Sequence, residues 1–146
     1  MKAPYRQMRM KQLSQSLAPF ERAKGVTRPS RGWLRAIREA LGISGERIGQ
    51  TISATKQGIQ WFERAEAEDR ITLRNLRRVA EAMGCELVYA IVPKSGSLQD
   101  LAESRVRAEA TKRVLSVEHT MALEDQAPGG VKELIDEKTK QITKKR

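Results

Sequence analysis

The chain has one cysteine, Cys85, and one histidine, His119. A lone cysteine makes no intrachain disulfide and no cysteine-based zinc site. A lone histidine leaves histidine metal sites and Ser/His/Asp catalysis almost without raw material. Aromatic residues are only 4% of the sequence, which argues against a large dense core. The longest apolar run, Leu87–Val92, is far too short to cross a bilayer. The N-terminal stretch is charged and lacks the apolar segment of a signal peptide. No glycine loop that would cradle a phosphate and no other catalytic signature occurs. The expectation is a cytoplasmic protein that is not an enzyme and holds no cofactor or metal.

Positive charge and helix-forming residues are what the sequence has in quantity. Its 146 residues carry 28 Lys and Arg against 18 Asp and Glu, a formal charge of +10. So small and basic a chain calls for a polyanion or an acidic partner, and nucleic acid is the commonest answer, with a membrane surface second. Ala, Leu, Glu, Lys, Arg and Gln dominate. Glycines and prolines fall mostly between apolar-periodic runs, which predicts an all-α protein with short connections.

Three segments follow from the patterning. Residues 1–29 read as an N-terminal helical extension, with Met10, Leu13, Leu17 and Phe20 at helical spacing and Pro19 stopping or kinking the helix. Residues 30–93 read as a compact helical domain. Trp33, Ile37 and Leu41 make one apolar stripe ending at Gly42. Ile48 and Ile52 mark a second helix. Ile59 and Phe62 mark a third, with Thr55 as its N-cap. Leu73, Leu76, Val79, Ala80 and Met83 mark a fourth, after Thr72 and before Gly84. Residues 85–93, "CELVYAIVP", then turn to β-formers closed by a proline. A single strand cannot stand alone, since its backbone groups need partners. Pairing with the same strand of a second copy is the economical solution, the alternatives being a buried helix or an extended tail on the core. Residues 94–146 read as a C-terminal helical extension. A long apolar stripe runs from Leu98 to Met121, "APGG" at 127–130 breaks it, and a short helix over 131–142 follows. The dimer interface is either the strand or these helices.

The stretch "GERIGQTISATKQGIQWFERAE", residues 45–66, has the spacing of a helix-turn-helix. Two helices crossing steeply over a short turn need a small side chain where they touch, and Gly49 supplies it. Ser53 sits at the turn. Ile59 faces the first helix, and Ile48, Ile52 and Phe62 complete the small core. Trp61 falls near the edge of the exposed face, as packing or as cover for a sugar–phosphate. The exposed N-terminal half of the second helix then offers Lys56, Gln57 and Gln60 to the major groove. Glutamine can read adenine bidentately, and lysine can read guanine. Ser44, Arg47 and Thr55 are candidates for phosphates, Thr55 at the positive helix terminus, with Arg64 and Arg70 weaker. The acidic cluster Glu63, Glu66, Glu68 and Asp69 has no nucleophile or metal ligand beside it, so it reads as capping or solvating a loop.

With those residues in view, 33–84 resembles the Cro/cI (XRE) family of helix-turn-helix repressors, through "GERIGQTISATKQGIQWFE" and "TLRNLRRVAEAMG". It departs from that family's pattern at Gly45, where a DNA-contacting glutamine is common, and at Ser53, which replaces the turn glycine. The whole chain resembles the family called mobile mystery protein A, through "QLSQSLAPF", "RGWLRAIREALGIS", "LRRVAEAMGCELVYAIVPK" and "HTMALEDQA". That resemblance implies a genetic partner, mobile mystery protein B, with a Fic domain of the kind that transfers AMP from ATP to a target protein. It implies a toxin–antitoxin or mobile-element module in which this chain is the DNA-binding, antitoxin-like member. Inhibitory helices of Fic systems carry Ser or Thr, three residues, Glu, then Gly or Asn. Thr120 and Glu124 have that spacing, with Asp125 in the last place; in such helices the Glu pairs with an arginine of the Fic site and obstructs ATP.

The expected function is a dimeric, sequence-specific double-stranded DNA-binding regulator that represses its own operon. The alternative is an inhibitor of a Fic enzyme acting through the C-terminal helices. An RNA-binding role is weaker, because RNA readers usually offer exposed aromatic platforms and the sequence displays none.

Overall fold

The computed structural model describes residues 2–123 and 131–145. The chain is all-α. It has seven α-helices among those residues: α1 (Ala3–Leu17), α2 (Trp33–Ala40), α3 (Gly45–Ile52), α4 (Lys56–Ala67), α5 (Leu73–Ala82), α6 (Leu98–Leu123) and α7 (Val131–Lys145). A 3₁₀ segment, Ala18–Gly25, follows α1, because Pro19 cannot continue an α-helix. No helix among the described residues is long and apolar enough to cross a membrane.

Two compact units result: Arg22–Ala90 in the middle of the sequence, and Met1–Glu21 together with Ile91–Arg146. The terminal unit centres on α6, against which α1 and α7 both pack. Val106, Ala110 and Val114, at i, i+4 and i+8, are the buried part of the α6 stripe, and Ile142 of α7 packs with Val106 and Ala110. A capping box begins α6. The Ser97 N–H donates to the Asp100 carboxylate at 2.7 Å, and the Asp100 N–H donates to the Ser97 hydroxyl at 3.1 Å. The Ser97 N–H and the Ser97 hydroxyl, both donating to it, hold the Asp100 carboxyl below its ordinary range.

The middle unit packs α2–α5 around Leu34, Ile48, Ile59, Val79 and Met83, with Ile37, Ile52, Phe62 and Leu76 at the margin. Three of its helices start as their sequence signals require. The side-chain oxygens of Ser44, Thr55 and Thr72 accept from the N–H groups of Arg47, Gly58 and Asn75, at 3.2, 3.0 and 3.2 Å. Helix α2 starts differently. Its flanking residue is Gly32, at φ +84°, and Glu66 of α4 provides the cap. The Trp33 N–H donates to one oxygen of Glu66 and the Leu34 N–H to the other, both at 2.8 Å. A side chain at Gly32 would place its Cβ 2.6 Å from that carboxylate.

This contact sets the register of α2 and corrects its expected stripe. Leu34 and Ile37 face the core, whereas Trp33 and Leu41 are exposed. Trp33 lies one residue round from Leu34, and the helix ends at Ala40, before Leu41 can pack. The acidic cluster also needs correction in part. Glu63 and Glu66 are only 4% exposed and act within the fold. Glu68 and Asp69 do lie at the surface, paired with Arg70 and Arg28. Burying the first two is affordable because each meets donors. Glu63 accepts two hydrogen bonds from the Arg38 guanidinium, at 2.5 and 3.2 Å, which keeps that guanidinium's pKa above its ordinary value.

The expected strand is absent: no strand occurs among the described residues. Residues 86–93 make no backbone hydrogen bond to another described residue. Val88, Tyr89 and Ile91 are exposed, Ile91 at 86%. A β-forming segment in a single chain without a second strand has nothing to pair with.

Glu66→Ala is expected to lower the unfolding free energy by about 2–3 kcal/mol, because it strands a buried N–H and removes the cap of α2. Urea denaturation reads this as a lower midpoint at unchanged slope. Glu68→Ala, two residues on and exposed, should cost within about 0.5 kcal/mol. Equal midpoints for the two variants would show that the cap carries no weight.

Candidate nucleic-acid interface

Helices α3 and α4 are joined by Ser53, Ala54 and Thr55 alone. Such a reversal needs one residue in the left-handed region. Ser53 provides it at φ +57° and ψ +44°, in the place where glycine would be least strained. The Ala54 N–H donates back to the Gly49 carbonyl at 2.8 Å. A Cβ on Gly49 would stand 2.4 Å from the Ala54 carbonyl oxygen. The obstacle is therefore the backbone of the turn itself, which cannot swing aside as a side chain would. Ile48 and Ile59 are fully buried, and Ile52 and Phe62 pack at the edge of the same cluster. The packing set read from the sequence comes together as a unit. Arg78 of α5 secures it by donating to the Ile52 carbonyl, the last of α3, at 2.8 Å.

Helix α4 divides its surface cleanly. Ile59, Phe62, Glu63 and Glu66 point inward. At about 100° per residue, the direction opposite to them belongs to Gln57, Trp61 and Arg64, with Lys56 and Gln60 on one flank. All five are exposed. Trp61 was expected at the edge of this face, but it lies within it. It is 52% exposed, four residues after Gln57, and its ring meets Phe62 edge-on at 5.5 Å between centroids. The i, i+4 relation to Gln57 is the sequence signal that places it there. An exposed aromatic beside a glutamine and an arginine also supplies the stacking surface that the sequence reading did not find.

The phosphate candidates sit around this face. The hydroxyls of Ser44 and Thr55 accept the capping bonds of α3 and α4, and each keeps its own proton free to donate. Both lie at helix N-termini, where the macrodipole favours an anion. Arg47 and Arg64 are exposed, with no hydrogen-bonding side-chain partner among the described residues. Arg70 is bound to Glu68 and is less available. Gln60 differs from Gln57 in setting, since it lines a cleft shared with α2. Thr120 lies on α6, and Glu124 falls outside the described residues.

Three arginines missing from the sequence reading serve the fold instead of the surface. Arg28 donates to the Glu66 and Ala67 carbonyls at the end of α4, both at 3.2 Å, and to the Asp69 carboxylate at 2.6 Å. Arg38 donates to the Ile43 carbonyl at 3.2 Å, besides holding Glu63. Arg78 has the role already given. Arg28 and Arg78 satisfy orphan carbonyls at helix C-termini that lie far along the chain.

Gly49→Ala should destabilise the middle unit by about 1–3 kcal/mol, the usual range for an atom forced into packed surroundings. Gly25→Ala, where a Cβ meets nothing within 4 Å, is the neutral comparison. Thermal melts of the two variants side by side check this; equal melting temperatures would mean the turn can yield.

Comparison with protein families, with curated proteins and with solved structures finds no match for this chain.

Proposed function

We propose that the protein is a sequence-specific double-stranded DNA-binding regulator of the Cro/cI helix-turn-helix kind, acting as a homodimer. The observation that carries this reading is the division of α4: its inner face is locked by Ile59, Phe62, Glu63 and Glu66, and its outer face presents Lys56, Gln57, Trp61 and Arg64 to solvent. Such a helix enters the major groove with its N-terminal residues at the base edges. Gln57 then reads adenine through N6 and N7, and Lys56 reads guanine. Trp61, further along, covers a thymine methyl or a sugar. Ser44, Thr55 and Arg47 hold flanking phosphates and fix the register of the helix on the duplex.

The dimer supplies the second half-site. Residues 86–93 carry exposed β-formers and backbone groups unpaired among the described residues, which favours pairing with the same segment of another copy. Two recognition helices about 34 Å apart would read a near-palindrome with half-sites about one turn apart.

Two outcomes are expected. Gln57→Ala should cost roughly 1–3 kcal/mol on the preferred duplex, selected from random sequence, and little on a scrambled one. An equal loss on both would put Gln57 on the backbone instead of a base. Val88→Pro removes one donor from the extended segment. In sedimentation it should shift the chain from dimer to monomer, and in footprinting it should shrink the protected region to one half-site. An unchanged dimer would move the interface elsewhere.

A further inference from the structure

The inference concerns α2, and it rests on the DNA-binding reading above. Beside the C-terminal half of α4 lies a cleft of about 420 Å³, bounded by Ser30, Arg31, Arg35 and Arg38 on one side and by Gln60 and Arg64 on the other. Four guanidiniums around one small cleft would repel each other unless anions meet them. Two of the four are met. Arg38 is bound to Glu63, which also lines the cleft, and Arg35 is bound to Glu39 at 2.8 Å. Arg31 and Arg64 have no ion-pair or hydrogen-bond partner among the described residues. Two exposed guanidiniums therefore face one cleft with its internal carboxylates already committed.

The position of the cleft names the anion. Lys56, Gln60 and Arg64 follow one another at i, i+4 and i+8, a single ridge along α4. The ridge begins where the helix would meet bases and ends in the cleft. A recognition helix enters the groove by its N-terminal half, so its far end passes over the sugar–phosphate strand. A planar guanidinium presents a fork of donors that matches two phosphate oxygens. We propose that Arg31 of the loop before α2 and Arg64 of α4 close on one backbone phosphate, with Gln60 and the Ser30 hydroxyl as neutral donors. Arg35 and Arg38 form the back wall. This makes α2 part of the DNA interface and not only a buttress of the core.

The test compares wild type with Arg31→Ala/Arg64→Ala, measuring affinity for a preferred and a scrambled duplex at several salt concentrations. Both side chains are exposed and unpaired, so the melting temperature should stay unchanged, which separates binding from folding. Loss of one phosphate contact should weaken both duplexes by the same factor and make the salt slope shallower by about 0.9. Arg31→Lys/Arg64→Lys should restore most of the slope and less of the affinity, since lysine lacks the fork. An unchanged slope in the alanine variant, with wild type binding duplex normally, overturns the clamp and leaves the DNA-binding reading intact. Inorganic phosphate is the second arm. If wild type binds no duplex yet phosphate raises its melting temperature and not the variant's, the cleft takes a free anion, and both the clamp and the DNA-binding reading fall. If wild type responds to neither probe, the cleft holds no phosphate.

Discussion

Glu66 reaches from the inner face of α4 to the two free N–H groups at the start of α2, and most of the middle unit follows from that reach. The carboxylate satisfies donors that α2 lacks the residues to satisfy for itself. It requires Gly32, because any side chain there would collide with it. It also fixes the rotation of α2 so that Arg38 lies inward, where Glu63, three residues before Glu66 and on the same face of α4, can take it. With α2 clamped at both points, α4 leaves to solvent the face bearing Gln57, Trp61 and Arg64 and the flank bearing Lys56 and Gln60. Removing one partner of such a buried pair usually costs more than replacing both by apolar groups, because the survivor is left charged and unmatched. The polar ties of this small core thus act as its register marks.

The same arrangement divides the chain's basicity into two kinds. Arg28 and Arg78 are consumed in closing helix ends, and Arg35, Arg38 and Arg70 are bound to carboxylates. Arg47, Lys56 and Arg64 remain at the face opposite the core. Formal charge counts both kinds alike. A polyanion would respond mainly to the second, so the figure of +10 overstates what these paired arginines offer it.

How much of this was legible in the sequence depended on distance along the chain. The caps at Ser44, Thr55 and Thr72 are local, each closing within three residues, and all three were readable. So were the turn at Ser53 and the packing of Ile48, Gly49 and Ile59, because one short motif contains them. Glu63 and Glu66 were not, since their partners lie 25 and more residues upstream and nothing near them signals a buried role. The stripe of α2 was misread for the same reason: an i, i+4 pattern beginning at Trp33 ignores a cap donated from another helix. At 85–93 only a β-forming composition was legible, and no strand forms there among the described residues. Backbone pairing belongs to two segments, and one sequence shows one of them.

That unpaired segment has a consequence for how long a copy survives. Enzymes that cut polypeptides prefer backbone that is accessible and free of internal bonds, and the stretch carrying the exposed Val88, Tyr89 and Ile91 makes no backbone bond to another described residue. A single cut there would break the chain between α2–α5 and α6, although α1, on the upstream fragment, still packs against α6. Anything that covered this stretch would therefore also slow its cleavage.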